Sequence, residues 1–95
     1  MNSAQSRAVW KYVLTSPVKR FDMPAGAEIL TVETQGSQPT LWALVDPKAE
    51  QEQRMFVAIG TGMDFDYDPG TEYVGTAHNV EGAGLVFHIF EVRRD

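Results

Sequence analysis

The sequence predicts an all-β protein, a small single-domain antiparallel sandwich or barrel of about six strands. Apolar residues recur with period two, or in short runs rich in Val, Ile, Phe, Tyr and Trp, as is typical of strands. Turn residues interrupt these runs before a helix of typical length could form. A chain of 95 residues has the size of one domain and can bury one core without disulfides.

The predicted strands follow the apolar runs in chain order. They cover residues 9–14, 28–35, 40–45, 54–59, 73–78 and 85–92, with a weaker edge piece at 19–23. Pro24-Ala25-Gly26, residues 35–39 and Asp68-Pro69-Gly70 have turn chemistry, and residues 35–39 are predicted to form a hairpin loop. Residues 46–53 have helix-favouring composition without an apolar stripe, so they are predicted to be a solvated loop. Residues 1–8 are expected to be a polar tail and residues 9–95 a single β domain.

The last predicted strand, within residues 84–92, is apolar on nearly both faces. In a monomeric two-layer protein, one face of an antiparallel strand is usually polar. The pattern therefore predicts either a central position in a sheet or an oligomer interface over the outer face. Homo-oligomerisation is the hypothesis that follows.

Composition limits the partners. The 13 acidic and 8 basic side chains give a net charge of −5, which disfavours the phosphate contacts that dominate binding to long nucleic acids. A small anionic ligand stays possible, because backbone N–H groups can bind it. The N-terminus has no signal-peptide core, and no run approaches the roughly 18 apolar residues of a membrane helix. We therefore expect no membrane partner and a cytoplasmic protein.

Two Gly-Thr segments are candidate ligand contacts. Gly60-Thr61-Gly62 follows a strand and could hold a phosphate on its amides, or could be only a tight strand exit. It lacks the helix and the Lys-Ser/Thr pair of Rossmann and P-loop sites. Gly75-Thr76 lies inside a strand, where glycine marks a bulge or a close approach. In the functional alternative, both segments line one ligand-binding cavity.

Aromatic and basic side chains offer a second set of candidates. Trp10 and Tyr12 are predicted on one face of the first strand with Lys11 on the other. Together with Trp42 they are core residues in one interpretation and stacking platforms for a base in the other. Lys11 or Arg54 would contact phosphates, and Arg54 is expected to be partly buried with a carboxylate or a phosphate.

The sequence contains no recognisable catalytic or metal-binding pattern. There is no cysteine, and His78 and His88 lack the spacing of a metal site. Residues 64–72 depart from a calcium loop, with Pro69 at its sixth position and Gly75 at its twelfth. The serines lie in the tail or in turns without a nucleophile elbow. We therefore expect no enzymatic activity, no cofactor and no metal.

Several segments together carry a family resemblance. They are Val9-Trp10-Lys11-Tyr12, residues 23–30, residues 41–47 with Trp42, residues 59–62, Tyr73-Val74-Gly75-Thr76 and residues 86–92 with His88. Through them the chain resembles a family of small uncharacterised proteins of phages and prophage-bearing bacteria. That family often has Trp at the position of Phe87. It is also similar to the viral anti-CBASS proteins, which act as sponges for cyclic-nucleotide immune signals.

The resemblance implies a compact, oligomeric, non-enzymatic protein that sequesters a small anionic nucleotide in the host cytoplasm. It places Trp10, Tyr12, Trp42, Gly60 to Gly62, Tyr73, Gly75, Thr76 and His88 in motif positions, without saying which of them contact the ligand. The alternative function is a structural or protein-interaction module of phage origin that has no small-molecule ligand.

Overall fold

The computed structural model describes residues 5–93, which form seven strands in two antiparallel sheets and contain no helix. The strands are β1 (Ala8–Val13), β2 (Val18–Pro24), β3 (Glu28–Gln35), β4 (Gln38–Val45), β5 (Gln51–Gly60), β6 (Thr71–Val80) and β7 (Leu85–Val92). The first sheet has the order β1-β4-β3 and the second the order β2-β5-β7-β6. The all-β prediction is confirmed, and of the two predicted architectures the sandwich is the one formed.

The strand boundaries agree with the prediction in β3 and β7 and extend it in β2, β4, β5 and β6, whereas β1 begins and ends one residue earlier than predicted, at Ala8 and Val13. The predicted loop at 46–53 is wrong in its last three residues, because β5 begins at Gln51. Those residues find partners in β2, which continues to Pro24 opposite Gln51. The hairpin between β3 and β4 is confirmed, with Gly36 at a φ of 68° in its turn. Of the predicted tail, residues 1–4 lie outside the described residues, and Ala8 begins β1.

The core lies between the two sheets. Alternation along β4 turns Leu41, Ala43 and Val45 inward, and each is at most 1% exposed. Phe56 of β5 and Ile89 of β7 meet them from the second sheet and are completely buried. Leu14, Met23, Ala27, Val32, Ala77 and Val80 complete the buried cluster. Alternating patterns in both sheets thus produce one continuous hydrophobic core.

The position of β7 explains why it is apolar on both faces. It lies between β5 and β6 in the four-stranded sheet, so the predicted central position is confirmed. Its inner face contributes Ile89 to the core, while Phe90 on its outer face is half-buried. The segment between β5 and β6 covers this outer face, with Phe65 and Tyr67 ring centroids 4.9 Å and 6.0 Å from that of Phe90.

A bulge in β6 sets the distance between the sheets at one edge. The pairing with β7 shifts register between Tyr73 and Gly75, which confirms the predicted bulge. Gly75 faces β3 so closely that a Cβ atom there would lie 2.8 Å from Cγ2 of Val32. Such a distance is shorter than real carbon contacts allow, so only glycine lets β3 and β6 approach in this way.

Candidate functional site

His88 is the centre of a hydrogen-bonded group on the outer face of the four-stranded sheet. Its Nε2 lies 2.8 Å from Oγ1 of Thr61 and its Nδ1 lies 3.2 Å from Oγ1 of Thr76. Oγ1 of Thr76 also lies 2.6 Å from the hydroxyl of Tyr73. Thr61, Tyr73, Thr76 and His88 are called the His88 network below. All of its members are among the predicted ligand residues.

The bulge in β6 is what brings Tyr73 into the network. In a regular strand, residues three apart point to opposite faces. Here Tyr73 pairs with Phe90 and Thr76 pairs with His88, with Val74 as the extra residue between the register positions. Because Phe90 and His88 are two apart on β7, both partners lie on its outer face. The extra residue therefore places the Tyr73 and Thr76 hydroxyls side by side.

Thr61 reaches the network from the end of β5. The strand stops at Gly60, where the N–H of Met63 donates to the Gly60 carbonyl at 3.0 Å and closes a turn. Gly62 has a φ of 90°, a conformation that favours glycine. The predicted strand exit is confirmed, and it carries the Thr61 side chain over the neighbouring strand β7 to His88.

Exposed aromatic rings lie beside the network. Phe65, Tyr67 and Tyr73 each have their ring centroid within 6.0 Å of that of Phe90. These residues are called the aromatic cluster below. Tyr67 is 67% exposed and Tyr73 is 56% exposed, so large areas of two rings face solvent. Rings with free faces can stack on a planar group, and Tyr73 joins them to the polar network.

The His88 network can both donate and accept hydrogen bonds. A neutral imidazole has one donor and one acceptor, and threonine hydroxyls can serve as either. Both ring nitrogens of His88 are therefore satisfied in either tautomer by Thr61 and Thr76. The hydroxyls keep further acceptor capacity toward solvent. The arrangement can bind a polar group presented beside a stacked ring.

The other predicted aromatic and basic residues of the first strands lie elsewhere. Tyr12 faces inward and packs on Phe21 with ring centroids 5.3 Å apart, which favours its interpretation as a core residue. Trp10 lies on the same face, as predicted, but is 39% exposed near the edge of the sheet. Lys11 and Trp42 pair on the opposite, outer face of the three-stranded sheet. None of them contacts the His88 network.

Arg54 is held inside the protein by a carboxylate. Its Nε and Nη2 donate to the two carboxylate oxygens of Glu91 at 2.7 Å and 2.8 Å, and Nη1 donates to the Ala27 carbonyl at 2.6 Å. The prediction of a partly buried ion pair is confirmed in its carboxylate form. The hydrogen bonds to Glu91 raise the pKa of Arg54, against burial, which lowers it. Three of the five guanidinium donors are thus used within the fold.

An acidic cleft lies at one end of the sandwich. It has a volume of about 710 Å³ and contains Arg54 and Arg93 together with Glu28, Glu52, Glu72 and Glu91 in its lining. Four carboxylates against two guanidinium groups disfavour an anionic ligand there. Among the described residues, no group of three or more His, Cys, Asp or Glu side chains could hold a metal ion.

Sequence reasoning missed the aromatic contribution of the segment that follows β5. From the sequence, residues 64–72 are identified as a segment that departs from a calcium loop, and Phe65 and Tyr67 are not among the predicted site residues. The available signal was their alternation with Asp64, Asp66 and Asp68. Alternating aromatic and acidic residues indicate a segment that lays its rings on a surface and leaves its carboxylates in water.

Within residues 5–93, the structure contains no helix long and apolar enough to cross a membrane. A family model described as a domain of unknown function, DUF7352, matches residues 5–95. No curated protein and no solved structure matches the chain. The matched range contains every strand of both sheets and every member of the His88 network.

Proposed function

The chain belongs to the DUF7352 family, and we propose that it is a non-enzymatic protein that binds and sequesters a small cyclic nucleotide. The ligand site is the outer face of the four-stranded sheet, at the His88 network and the aromatic cluster. The proposal follows the expected role of an anti-defence sponge. Sequestration requires affinity and abundance and needs no catalytic group.

The observation that carries the proposal is the convergence of Thr61, Tyr73, Thr76 and His88 at hydrogen-bond distance. Thr61 comes from the turn after β5, and the other three residues come from β6 and β7, so the fold assembles them from separate segments. A nucleotide presents a flat base together with ribose and phosphate oxygens. An exposed ring beside a row of hydroxyls complements both parts.

The base is placed on the exposed ring of Tyr73 or Tyr67. By analogy with single-stranded nucleic acids, stacking of one base on an aromatic side chain contributes about 1–3 kcal/mol. The three hydrogen bonds within the network use three of its four donor protons. The remaining proton donates to a ribose or phosphate oxygen, and the hydroxyl oxygens of the network accept from ribose hydroxyls or base N–H groups. Each such bond contributes roughly 1 kcal/mol. One stacked base and a few such bonds contribute about 4–6 kcal/mol, whereas micromolar binding requires about 8.2 kcal/mol. Micromolar binding therefore requires that a second base of a cyclic di- or trinucleotide also stacks on an exposed ring.

The test is a thermal-shift and calorimetric screen against cyclic di- and trinucleotides and cyclic ADP-ribose isomers. A ligand at a hundred times its dissociation constant stabilises the fold by about 2.7 kcal/mol. The bound nucleotide should be recovered intact after heat denaturation. A linear product would identify an enzyme, and the absence of a shift with every nucleotide would overturn the proposal.

Two threonine variants locate the ligand. Thr61→Val removes the hydroxyl that bonds to His88 and keeps the shape of the side chain, so we expect the dissociation constant to rise about tenfold. Thr31→Val is the matched control, because Thr31 is exposed on the outer face of the other sheet, opposite Trp42. Equal affinity of both variants would remove the His88 network from the site.

A second candidate function is that of a protein-interaction module. The observation that favours it is a pair of exposed apolar side chains close in sequence to the network, Met63, which is 61% exposed, and Leu85, which is 43% exposed. Apolar residues that surround a polar centre are common in protein interfaces. Met63→Lys separates the two functions, because it would weaken a protein contact while leaving the hydroxyls and rings for a nucleotide.

A further inference from the structure

Each edge strand of the two sheets has one side on which no strand pairs with it within residues 5–93. Edge strands expose unpaired N–H and C=O groups, and monomeric proteins protect them with charges, prolines, bulges or covering segments. The sandwich has four edge strands, β1 and β3 in one sheet and β2 and β6 in the other. Strand β2 is protected by Lys19, Arg20 and Asp22 and ends at Pro24.

Strands β3 and β6 protect each other. Oγ1 of Thr34 donates to the His78 carbonyl at 2.5 Å, and the N–H of Glu81 donates to the Ser37 carbonyl at 3.0 Å. Both strands also contain register shifts, one in β3 and two in β6. Three of the four edges therefore carry at least one protective device.

Strand β1 carries none of these devices. Its sequence, Ala8 to Val13, has no proline and no register shift, and its one charged residue is Lys11. The Lys11 ammonium group lies 2.5 Å from Oε1 of Gln35 in β3, so it leans across β4 and away from the edge. Val9 is 55% exposed and Trp10 is 39% exposed. This edge is apolar and regular, and within residues 5–93 no second strand pairs with it.

The alternation of hydrogen-bonded residues along β1 shows which of its backbone N–H and C=O groups point to the free edge. The N–H of Leu14 donates to the Pro39 carbonyl at 2.9 Å, and hydrogen-bonded and non-hydrogen-bonded pairs alternate along an antiparallel ladder. The even-numbered residues of β1 therefore bond to β4. The N–H and C=O groups of Val9, Lys11 and Val13 point to the free edge.

We propose that β1 pairs antiparallel with β1 of a second copy of this chain, about a two-fold axis at Trp10. The two three-stranded sheets then form one six-stranded sheet. This edge, rather than the outer face of β7, is the dimer interface. An isologous pairing of this kind is self-complementary, since each strand offers the other the same groups.

Charge selects the register. If inner and outer faces are to stay aligned, Lys11 can lie opposite Lys11, Arg7, Val9 or Val13 of the second copy. Opposite Val13, the pairing is centred on Tyr12 and includes only residues 11–13 of β1. Placing Lys11 opposite Lys11 or Arg7 puts like charges opposite each other, which is destabilising. Placing Lys11 opposite Val9 puts Trp10 opposite Trp10 and pairs Val9 with Lys11 on both sides of the two-fold axis.

The register with Lys11 opposite Val9 also allows backbone hydrogen bonds between the two β1 strands. Val9 and Lys11 are the residues whose N–H and C=O groups point outward, so they form the hydrogen-bonded pairs. Trp10 then falls at a non-hydrogen-bonded pair, where Cα atoms lie about 4.5 Å apart and side chains approach most closely. Cross-strand aromatic pairs at such positions stabilise sheets. Hydrogen-bond phase, charge and the exposed tryptophan thus agree on one register.

The test is a pair of charge variants measured by sedimentation equilibrium on the full chain. Val9→Glu places a carboxylate opposite Lys11 twice per dimer, and Val9→Lys places a second ammonium group there. We expect dimer dissociation constants that differ by about tenfold, with the Glu variant tighter. Val18→Glu and Val18→Lys are the matched controls, because Val18 is 56% exposed on the edge strand β2.

A disulfide test gives a second readout. The chain has no cysteine, so Trp10→Cys introduces a single thiol. At the two-fold axis its Cα separation of about 4.5 Å permits a disulfide, and mild oxidation should cross-link this variant but not Val9→Cys. Monomeric wild-type protein at its highest soluble concentration would overturn the proposal. Equal dissociation constants for the two Val9 variants would also overturn it.

Discussion

At the scale of single residues, the pair formed by Arg54 and Glu91 is the most consequential polar contact inside the fold. The side chains are 12% and 6% exposed. Arg54→Met leaves the Glu91 carboxylate buried without its partner, and we expect the free energy of unfolding to fall by about 3 kcal/mol. Urea denaturation measures this loss. Lys48→Met, in the exposed turn after β4, should change it by less than about 0.5 kcal/mol.

The double variant Arg54→Met/Glu91→Leu separates the cost of an unpaired charge from the value of the pair. Replacement of both members by apolar residues is often close to neutral, because neither charge has to be desolvated. We expect it to regain most of the stability that Arg54→Met loses. A double variant as unstable as the single one would show that the Arg54 contact with the Ala27 carbonyl matters more than the ion pair.

Tyr12 gives the protein a sensitivity to alkaline pH. Burial raises the pKa of Tyr12 above its ordinary value of 10.0, against Arg54, which lowers it. The folded state then holds the phenolic proton at pH values where the unfolded chain releases it. Stability from this group is complete below pH 10.0 and falls as pH rises through the raised pKa. Tyr12→Phe should remove that part of the alkaline loss.

The same substitution should stabilise the protein at neutral pH. Among the described residues, the Tyr12 hydroxyl is buried without a hydrogen-bond partner. Removal of an unsatisfied buried hydroxyl should add about 1 kcal/mol to the free energy of unfolding. Tyr67→Phe is the control, since Tyr67 is 67% exposed. A loss of stability in Tyr12→Phe would mean that water reaches the hydroxyl.

At the scale of elements, Gly75 determines how closely β3 and β6 approach. Gly75→Ala forces its Cβ against Val32, and overpacking of this kind costs about 1–3 kcal/mol. Val32→Gly should remove both obstructing atoms, Cγ2 at 2.8 Å and Cβ at 2.9 Å from the added methyl group, so the double variant should lose less stability than the sum of the two single variants. Thermal denaturation of the three variants tests this coupling. Additive losses would show that β3 shifts freely and that the contact is not restrictive.

The elements also show where sequence reasoning stops. Period two identified the strands, because alternation records which residues meet the core. It could not show that β5 continues back to Gln51, since those residues are strand-like only through their partners in β2. The sequence pattern predicted a bulge at Gly75. It did not predict the consequence, that the Tyr73 and Thr76 side chains lie on the same face of β6. The His88 network joins strands β6 and β7 to the turn after β5, and the order of these strands depends on pairing that no single segment encodes.

At the scale of the whole molecule, the proposed ligand site and the proposed dimer edge belong to different sheets. The His88 network lies on the outer face of the sheet that contains β5, β6 and β7, whereas β1 is an edge of the other sheet. The core lies between them. Since neither site contributes a residue to the other, binding and dimerisation should be independent.

Two variants already described test this independence. Val9→Lys should weaken the dimer and leave the nucleotide dissociation constant per chain within about twofold of wild type, because additivity holds for distant sites. Thr61→Val should weaken nucleotide binding and leave sedimentation unchanged. Calorimetry should give one ligand per chain in both monomer and dimer. One ligand per dimer, or loss of binding in Val9→Lys, would instead place the ligand across the two-fold axis at Trp10, in place of the His88 network.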